Sequence, residues 1–196
     1  LNARPEIAQW VISRLNTLVK EVEDAFENYE PTRAGRAIQD FVVDELSNWY
    51  VRLCRRRFWK GDYSQDKIAA YQTLYRCLIT VAKLSAPIAP FYSDSLFCDL
   101  NGITGKESEN SVHVAIWPAV NESEIDAALE ERMALAQTAS SLTLSLRKKE
   151  NIRVRQPLQK IMIPVVNDAF EQHLRQVEDL ILSEVNVKEL EYVKDD

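Results

Sequence analysis

Apolar residues recur every three or four positions through most of this chain, which is the spacing of amphipathic helices. The pattern predicts helices over residues 5–28, 32–60, 64–85, 91–100 and 123–146. Residues 101–110 are predicted to form a loop and residues 111–118 an extended segment. The last helix opens with Ser123-x-x-Asp126, which resembles a capping box. Long helices with short connections predict antiparallel neighbours, and therefore a mainly α, up-down helical bundle.

The pattern changes after Arg147. Residues 158–164 and 187–193 are predicted to be strands, with an amphipathic helix from residue 168 to about 183 between them. Two strands joined by a helix indicate a right-handed βαβ crossover. We therefore expect two domains, a helical bundle over residues 1–146 and a small α/β appendage over residues 147–196.

Residues 46–60 interleave aromatics and arginines more densely than any other stretch. As an α-helix, this region has an apolar face that consists of Ile38, Val42, Leu46, Trp49 and Leu53. One edge of that face carries Asn48, Arg52, Arg55 and Trp59. Such an edge suits RNA, because guanidinium groups bind phosphate bidentately and both guanidinium and indole planes stack on bases. Alternatively, the arginines are solvated or pair with nearby acids, and the tryptophans belong to the core.

The charge distribution sharpens this hypothesis. The net charge is −6, yet residues 51–60 hold five cations and no acid, and residues 147–155 hold five cations against one acid. A basic surface on an acidic protein fits a partner that docks on one face. Arg56 is expected to project toward the apolar face. The candidate RNA-binding residues are Asn48, Arg52, Arg55, Arg56, Arg57, Trp59, Lys60, Arg147, Lys148, Lys149, Arg153 and Arg155.

The chemistry of an enzyme is missing from the sequence. Three cysteines lie far apart and two histidines accompany them, which gives no zinc site or disulfide framework and favours a reducing, cytoplasmic location. There is no glycine-rich phosphate loop, and His113 has no nucleophile at a motif spacing. No apolar run is long enough to cross a membrane. We expect no catalytic residue, metal or cofactor in this chain, and Leu1 suggests a piece of a longer protein.

Several segments together resemble the anticodon-binding domain of class I aminoacyl-tRNA synthetases, and the isoleucyl branch in particular. The arginine-rich helix (residues 46–59) and the Arg-Gln-Pro-Leu element (residues 155–158) carry most of the specificity, while Ala-Pro-x-x-Pro-Phe (residues 86–91) is shared more widely. Further similar segments are residues 10–16, 111–118, 151–154 and 184–188. The chain departs from the family at Ala8-Gln9, where an Asp-Arg pair is usual.

The resemblance implies that this chain recognises the anticodon arm of tRNA(Ile) and performs no catalysis. The nucleotide-binding signatures of class I synthetases are absent, so ATP and Mg would act in the catalytic domain of a parent chain. The implied partners are the tRNA, and the catalytic and editing domains of that parent. Two other interpretations remain open, namely the same region of another class I synthetase such as the valyl enzyme, or a helical protein-interaction module that docks an acidic partner.

Overall fold

The computed structural model describes residues 4–59, 62–165 and 167–193. It divides the chain into two compact units, the first ending at Asp126 and the second beginning at Ala127. The change of pattern after residue 146 predicted this division twenty residues later, between residues 146 and 147. The helix that begins at Ala127 lies in the second unit because it packs against the two later helices of that unit.

The first unit is a helical bundle, as predicted. Its α-helices are α1 (Glu6–Glu27), α2 (Pro31–Asp40), α3 (Arg55–Trp59), α4 (Gln65–Ser85) and α5 (Pro90–Thr104). A π-helical segment, Phe41–Val51, connects α2 to α3. The predicted helix over residues 32–60 is therefore present as far as Trp59, but its middle part, Phe41–Val51, is a wider π-helix.

The helix ends follow ordinary capping chemistry. Proline occupies the first turn of α2 and of α5, where no backbone N–H is needed. The Ser64 hydroxyl caps α4 by accepting a hydrogen bond from the Lys67 backbone N–H at 3.2 Å. Helix α5 runs past its predicted end at residue 100 and stops at Gly105, whose φ of 58° is readily available to glycine.

The π-helical segment changes which residues face the core. Leu46 and Trp49 are buried as predicted, whereas Val42 and Leu53 are only partly buried. A π-helix bonds each residue to the one five positions away, so it needs more residues per turn than an α-helix. The predicted stripe was wrong at two positions because it assumed α-helical spacing throughout.

The buried positions within this segment and just after it show the same shift. Phe41 and Leu46, five residues apart, are both buried. Tyr50, Cys54 and Phe58 then follow at four-residue intervals and are buried too. The Tyr50 hydroxyl donates to the Ala70 carbonyl of α4 at 3.3 Å. The segment is therefore anchored on α4 as well as packed against α1 and α2.

The chain after α5 returns along α1 without forming the long extended segment predicted. Val112–Val114 and Glu122–Glu124 are short 3₁₀ turns. The side-chain oxygen of Asn16 accepts from the Asn121 N–H at 2.8 Å, and the Ser13 hydroxyl accepts from the Asp126 N–H at 2.8 Å. Since these bonds hold residues 121–126 against α1, the proposed capping box does not form and the next helix begins only at Ala127.

The second unit has the predicted βαβ order. It contains α6 (Ala127–Lys149), β1 (Leu158–Pro164), α7 (Asp168–Gln176), α8 (Glu178–Val185) and β2 (Val187–Val193). The strands are parallel, with Leu158 opposite Val187 and Pro164 opposite Val193. The single predicted crossover helix is broken at Val177, and α7 and α8 both pack against α6.

Candidate nucleic-acid interface

Helix α3 is fixed to the bundle through one buried aromatic residue. The Phe58 ring meets Tyr50 edge-on with centroids 6.2 Å apart, and it meets Tyr71 of α4 in the same way at 5.2 Å. The Tyr71 hydroxyl also donates to the Phe58 carbonyl at 3.2 Å. These contacts set the orientation of the short helix, and therefore of the exposed residues on either side of Phe58.

Arg55 and Trp59 form an exposed pair on α3. The Arg55 guanidinium carbon lies 5.6 Å from the centroid of the Trp59 ring, and Trp59 is 69% exposed. The indole also contacts the Phe58 ring edge-on, with centroids 6.1 Å apart. A tryptophan held in solvent beside a guanidinium offers an aromatic face together with a positive charge, which is the combination that binds single-stranded nucleic acid.

Three more candidates are exposed around this pair. Asn48 and Arg52 are exposed one turn apart, and the Arg52 Nε donates to the Asn48 carbonyl at 2.8 Å. Arg56 is exposed as well, which corrects the expectation that it projects toward the apolar face. The reason is the π-helical segment, which moves the buried positions to Cys54 and Phe58 and leaves Arg55 and Arg56 in solvent.

Arg57 has a structural role that the sequence analysis did not separate from RNA binding. Its guanidinium donates to both carboxylate oxygens of Asp66, at 2.6 and 2.8 Å, and to the Cys54 Sγ at 3.4 Å. The hydrogen bonds to Asp66 raise the pKa of Arg57, and they lower the pKa of Asp66 below its usual value. Arg57 therefore ties α3 to the start of α4. The feature of the sequence that could have indicated this role is Asp66, which lies nine residues after Arg57 at the start of a predicted helix.

The Arg57–Asp66 pair should make part of the stability of this unit depend on pH. Because the folded pKa of Asp66 is lowered, the pair stabilises the folded state above the unfolded pKa of about 3.9. That contribution is lost as pH falls through the lower folded pKa. We expect Asp66→Asn to reduce the free energy of unfolding at pH 7 by about 1 kcal/mol or less, since the carboxylate is half exposed.

Urea titrations of both proteins at pH 7 and near pH 2 would test this. The difference between the native chain and Asp66→Asn should be smaller at the lower pH, because the native carboxyl gains protons as the pH falls through its lowered pKa. A difference of the same size at both pH values would show that the ion pair does not stabilise the fold.

Lys60, the remaining candidate in this stretch, lies outside the described residues.

The structure corrects the expectation for Arg147. This side chain is only 3% exposed, and its guanidinium donates to the carbonyls of Arg153, Gln156 and Asn186 at 2.9–3.2 Å. A phosphate cannot approach a guanidinium that is enclosed in this way. Arg147 therefore holds together the turn that follows α6, whereas the sequence pattern assigned it to the RNA-binding surface.

Two asparagines that the sequence analysis passed over shape the same turn. Asn151 has a φ of 57°, and the Ile152 N–H bonds to the Arg147 carbonyl at 2.8 Å, as in a Schellman motif. Asn186 ends α8 with a φ of 53°, and its side chain donates to the Val154 carbonyl at 2.8 Å. Asparagine within two residues of a helix end is the signal that could have identified both, because it adopts the left-handed conformation more readily than most residues.

The other cations of the turn are available to a ligand. Lys148 and Lys149 are exposed at the end of α6, and Arg153 and Arg155 are exposed in the following residues. We call these four residues the basic turn. They lie on the second unit, on a backbone that Arg147 and Asn186 fix from inside.

Other kinds of site find no support within the described ranges. No group of three or more His, Cys, Asp and Glu side chains there could hold a metal ion. His113 is exposed in a 3₁₀ turn, where its backbone N–H bonds to the Ser111 hydroxyl. None of the helices in that part of the chain is both long and apolar enough to span a bilayer.

Comparison with known proteins agrees with this geometry. Residues 8–162 match the family described as the anticodon-binding domain of tRNA ligase. The isoleucine–tRNA ligase of Cytophaga hutchinsonii is 60% identical over 195 residues, which are 100% of this chain and 18% of that protein. The corresponding ligase of Bacteroides fragilis is 59% identical over 193 residues, 98% of this chain and 17% of its own.

A more distant relative shows the same correspondence. The isoleucine–tRNA ligase of Dehalococcoides mccartyi is 41% identical over 186 residues, which are 95% of this chain and 18% of the ligase. The chain thus spans less than a fifth of the length of these relatives. The resemblance found in the sequence is confirmed, and the chain belongs to the anticodon-binding domain family of tRNA ligases.

Proposed function

We propose that this chain binds the anticodon arm of isoleucine tRNA, as the recognition part of a longer isoleucine–tRNA ligase. The observation that carries the proposal is the exposed Arg55–Trp59 pair on a helix anchored by Phe58. Proteins read RNA sequence mainly at unpaired bases, which stack on aromatic and guanidinium planes. An anticodon loop presents such bases, and the similarity to isoleucine–tRNA ligases supports the choice of tRNA.

The Arg55–Trp59 pair and the basic turn would contact different parts of the RNA. Arg55 and Trp59 would contact bases of the loop, where stacking depends little on salt. The basic turn would contact phosphates, which fix the position of the RNA without reading its sequence. Binding the correct tRNA in one orientation would bring its acceptor end to the activated amino acid in the parent enzyme.

Catalysis, and the ATP and Mg²⁺ that it needs, would then belong to other domains of the parent enzyme. The catalytic and editing domains of that enzyme would be the partners of this chain. The isolated chain should show no isoleucine-dependent pyrophosphate exchange above background. Exchange above background, with protein free of contaminating ligase, would contradict this part of the proposal.

The division between stacking and phosphate contacts can be tested by measuring tRNA affinity at several salt concentrations. We expect Trp59→Ala to weaken binding of the isoleucine tRNA by about 1–3 kcal/mol without changing the slope of log K against log salt. Lys148→Ala should weaken binding of all tRNAs similarly and lower the slope by about 0.7–0.9 per lost contact.

The same titrations with valine tRNA separate the interpretations left open by the sequence. Preference for isoleucine tRNA, lost in Trp59→Ala, supports the proposal, whereas preference for valine tRNA assigns the chain to the valyl enzyme. If correctly folded Trp59→Ala binds isoleucine tRNA as tightly as the native chain does, Trp59 is not part of an RNA site.

A further inference from the structure

A second exposed aromatic residue lies beside the Arg55–Trp59 pair and was not among the candidates. Tyr63 is 85% exposed, and the Lys67 ammonium lies 5.3 Å from the centroid of its ring. The arrangement repeats that of Arg55 and Trp59, with a cation from a helix placed over an exposed ring. Both pairs flank the connection between α3 and α4.

The backbone around Tyr63 is held in place by the start of α4. The Ser64 N–H bonds to the Asp62 carbonyl at 2.8 Å, and the Ser64 hydroxyl accepts from the Lys67 N–H. Tyr63 therefore directly precedes a capped helix end, and the helix that fixes it also supplies the cation over its ring. A ring fixed in this way loses little conformational freedom when a ligand stacks on it.

Contacts within the first unit link the Arg55–Trp59 pair to α4, the helix that carries Lys67. Trp59 packs on Phe58, and Phe58 packs on Tyr71 of α4. Lys67 precedes Tyr71 by four residues, which is one turn of the same helix, so both side chains lie on the same face. This surface of exposed rings and cations thus runs from Arg55 and Trp59, past Tyr71, to Lys67 and Tyr63, with the buried Phe58 ring beneath it.

The exposed rings and the cations along this surface together favour a nucleic acid over an acidic or apolar protein partner. Arg52, Arg55 and Arg56 are exposed at one end, and Lys67 is half-buried at the other. Of the two acids near Tyr63 in the sequence, Asp66 is already bonded to Arg57, whereas Asp62 is exposed. Alternating cations and exposed rings match the alternation of phosphates and bases along a single strand, because each base offers a face and each linkage a negative charge.

We propose that Tyr63, positioned by Lys67, is a second base-stacking residue, so that the first unit stacks two unpaired nucleotides, one on Trp59 and one on Tyr63. This inference rests on the proposed function and deepens it, since it names the number of bases and the second ring. Because stacking needs an aromatic face but no hydroxyl, Tyr63→Phe should bind as the native chain does, whereas Tyr63→Ala should not.

The test uses the full chain with two RNA probes, a hairpin with the anticodon loop of isoleucine tRNA and a fully paired duplex with the same stem. We expect Tyr63→Ala to weaken hairpin binding about 5- to 150-fold, with an unchanged salt slope. Tyr63→Phe should stay within about twofold of the native chain. The control Tyr92→Ala, which removes an exposed tyrosine from α5, should bind as the native chain does.

Three results would overturn the inference. In the first, folded Tyr63→Ala binds the hairpin as the native chain does while Trp59→Ala does not. In the second, Tyr63→Ala weakens binding of the duplex as much as of the hairpin, so that unpaired bases are not involved. In the third, the Trp59→Ala/Tyr63→Ala double variant binds no more weakly than Trp59→Ala alone, which means that both rings serve one base.

The double variant should instead show the product of the two single losses, as expected for rings that stack different bases. Failure of the proposed function has a different signature. In that case neither Trp59→Ala nor Tyr63→Ala weakens hairpin binding, whereas the three results above leave the Trp59 effect intact.

Discussion

Trp49→Ala is expected to lower the free energy of unfolding of the first unit by about 3–5 kcal/mol. Trp49 lies in the π-helical segment and is 4% exposed, with α1 and α2 packed against that segment. Truncation leaves a cavity that the surrounding helices fill only in part. Urea unfolding followed by tryptophan fluorescence measures the loss, because the three remaining tryptophans, Trp10, Trp59 and Trp117, all lie in the first unit.

A matched variant separates the loss of ring volume from the removal of a buried, unpaired donor. Within the described residues the Trp49 Nε1 has no hydrogen-bond acceptor. Trp49→Phe therefore removes a buried unpaired donor while keeping much of the ring, and we expect it to cost about 1–2 kcal/mol. A loss below about 1 kcal/mol in Trp49→Ala would show that this indole contributes little to the core.

Arg147→Ala should destabilise the second unit by about 2–4 kcal/mol. Its guanidinium bonds to three carbonyls that come from the basic turn and from the end of α8. Removing it leaves these carbonyls without their charged donor and opens a gap beneath the turn. Exchange of the β1 and β2 amide hydrogens would report the change, since the Leu158 N–H bonds to the same Asn186 carbonyl that Arg147 holds.

The neighbouring lysine provides the control. Lys148 is exposed, so Lys148→Ala should change the stability of the second unit by less than about 0.5 kcal/mol. The two adjacent residues should thus give opposite results, with Arg147→Ala losing amide protection and Lys148→Ala losing only the salt-dependent part of tRNA binding. Equal protection in both variants would contradict the structural role of Arg147.

The hydrophobic pattern was enough to predict most of the fold. It located the helices of the bundle and the βαβ order because both depend on local periodicity. It missed the π-helical segment, since an extra residue per turn changes the burial of Val42 and Leu53 but not the apolar character of the stretch. It also missed the start of α6, which depends on hydrogen bonds that Ser13 and Asn16 accept from backbone N–H groups more than a hundred residues later.

The candidate site was harder to predict than the fold. Clustering of charge identified the arginine-rich helix and the basic turn, but it could not separate exposed cations from those with structural partners. Arg57 and Arg147 look like their neighbours in the sequence, and only their contacts with Asp66 and with backbone carbonyls assign them to the fold. Which residues of a basic stretch are exposed follows from the partners that tertiary structure brings to them.

The parallel pairing of β1 and β2 has a consequence for self-association. In the described part of the chain this sheet has two strands, so each strand is an edge that could pair with a strand of another molecule. Charged side chains on the two strands disfavour such pairing. Lys160 of β1 forms an ion pair with Glu191 of β2, and the Gln159 amide donates to the Glu189 carboxylate across the strands. An incoming strand would place its own side chains beside these charges, so the side chains that join the two strands also disfavour pairing with an apolar strand.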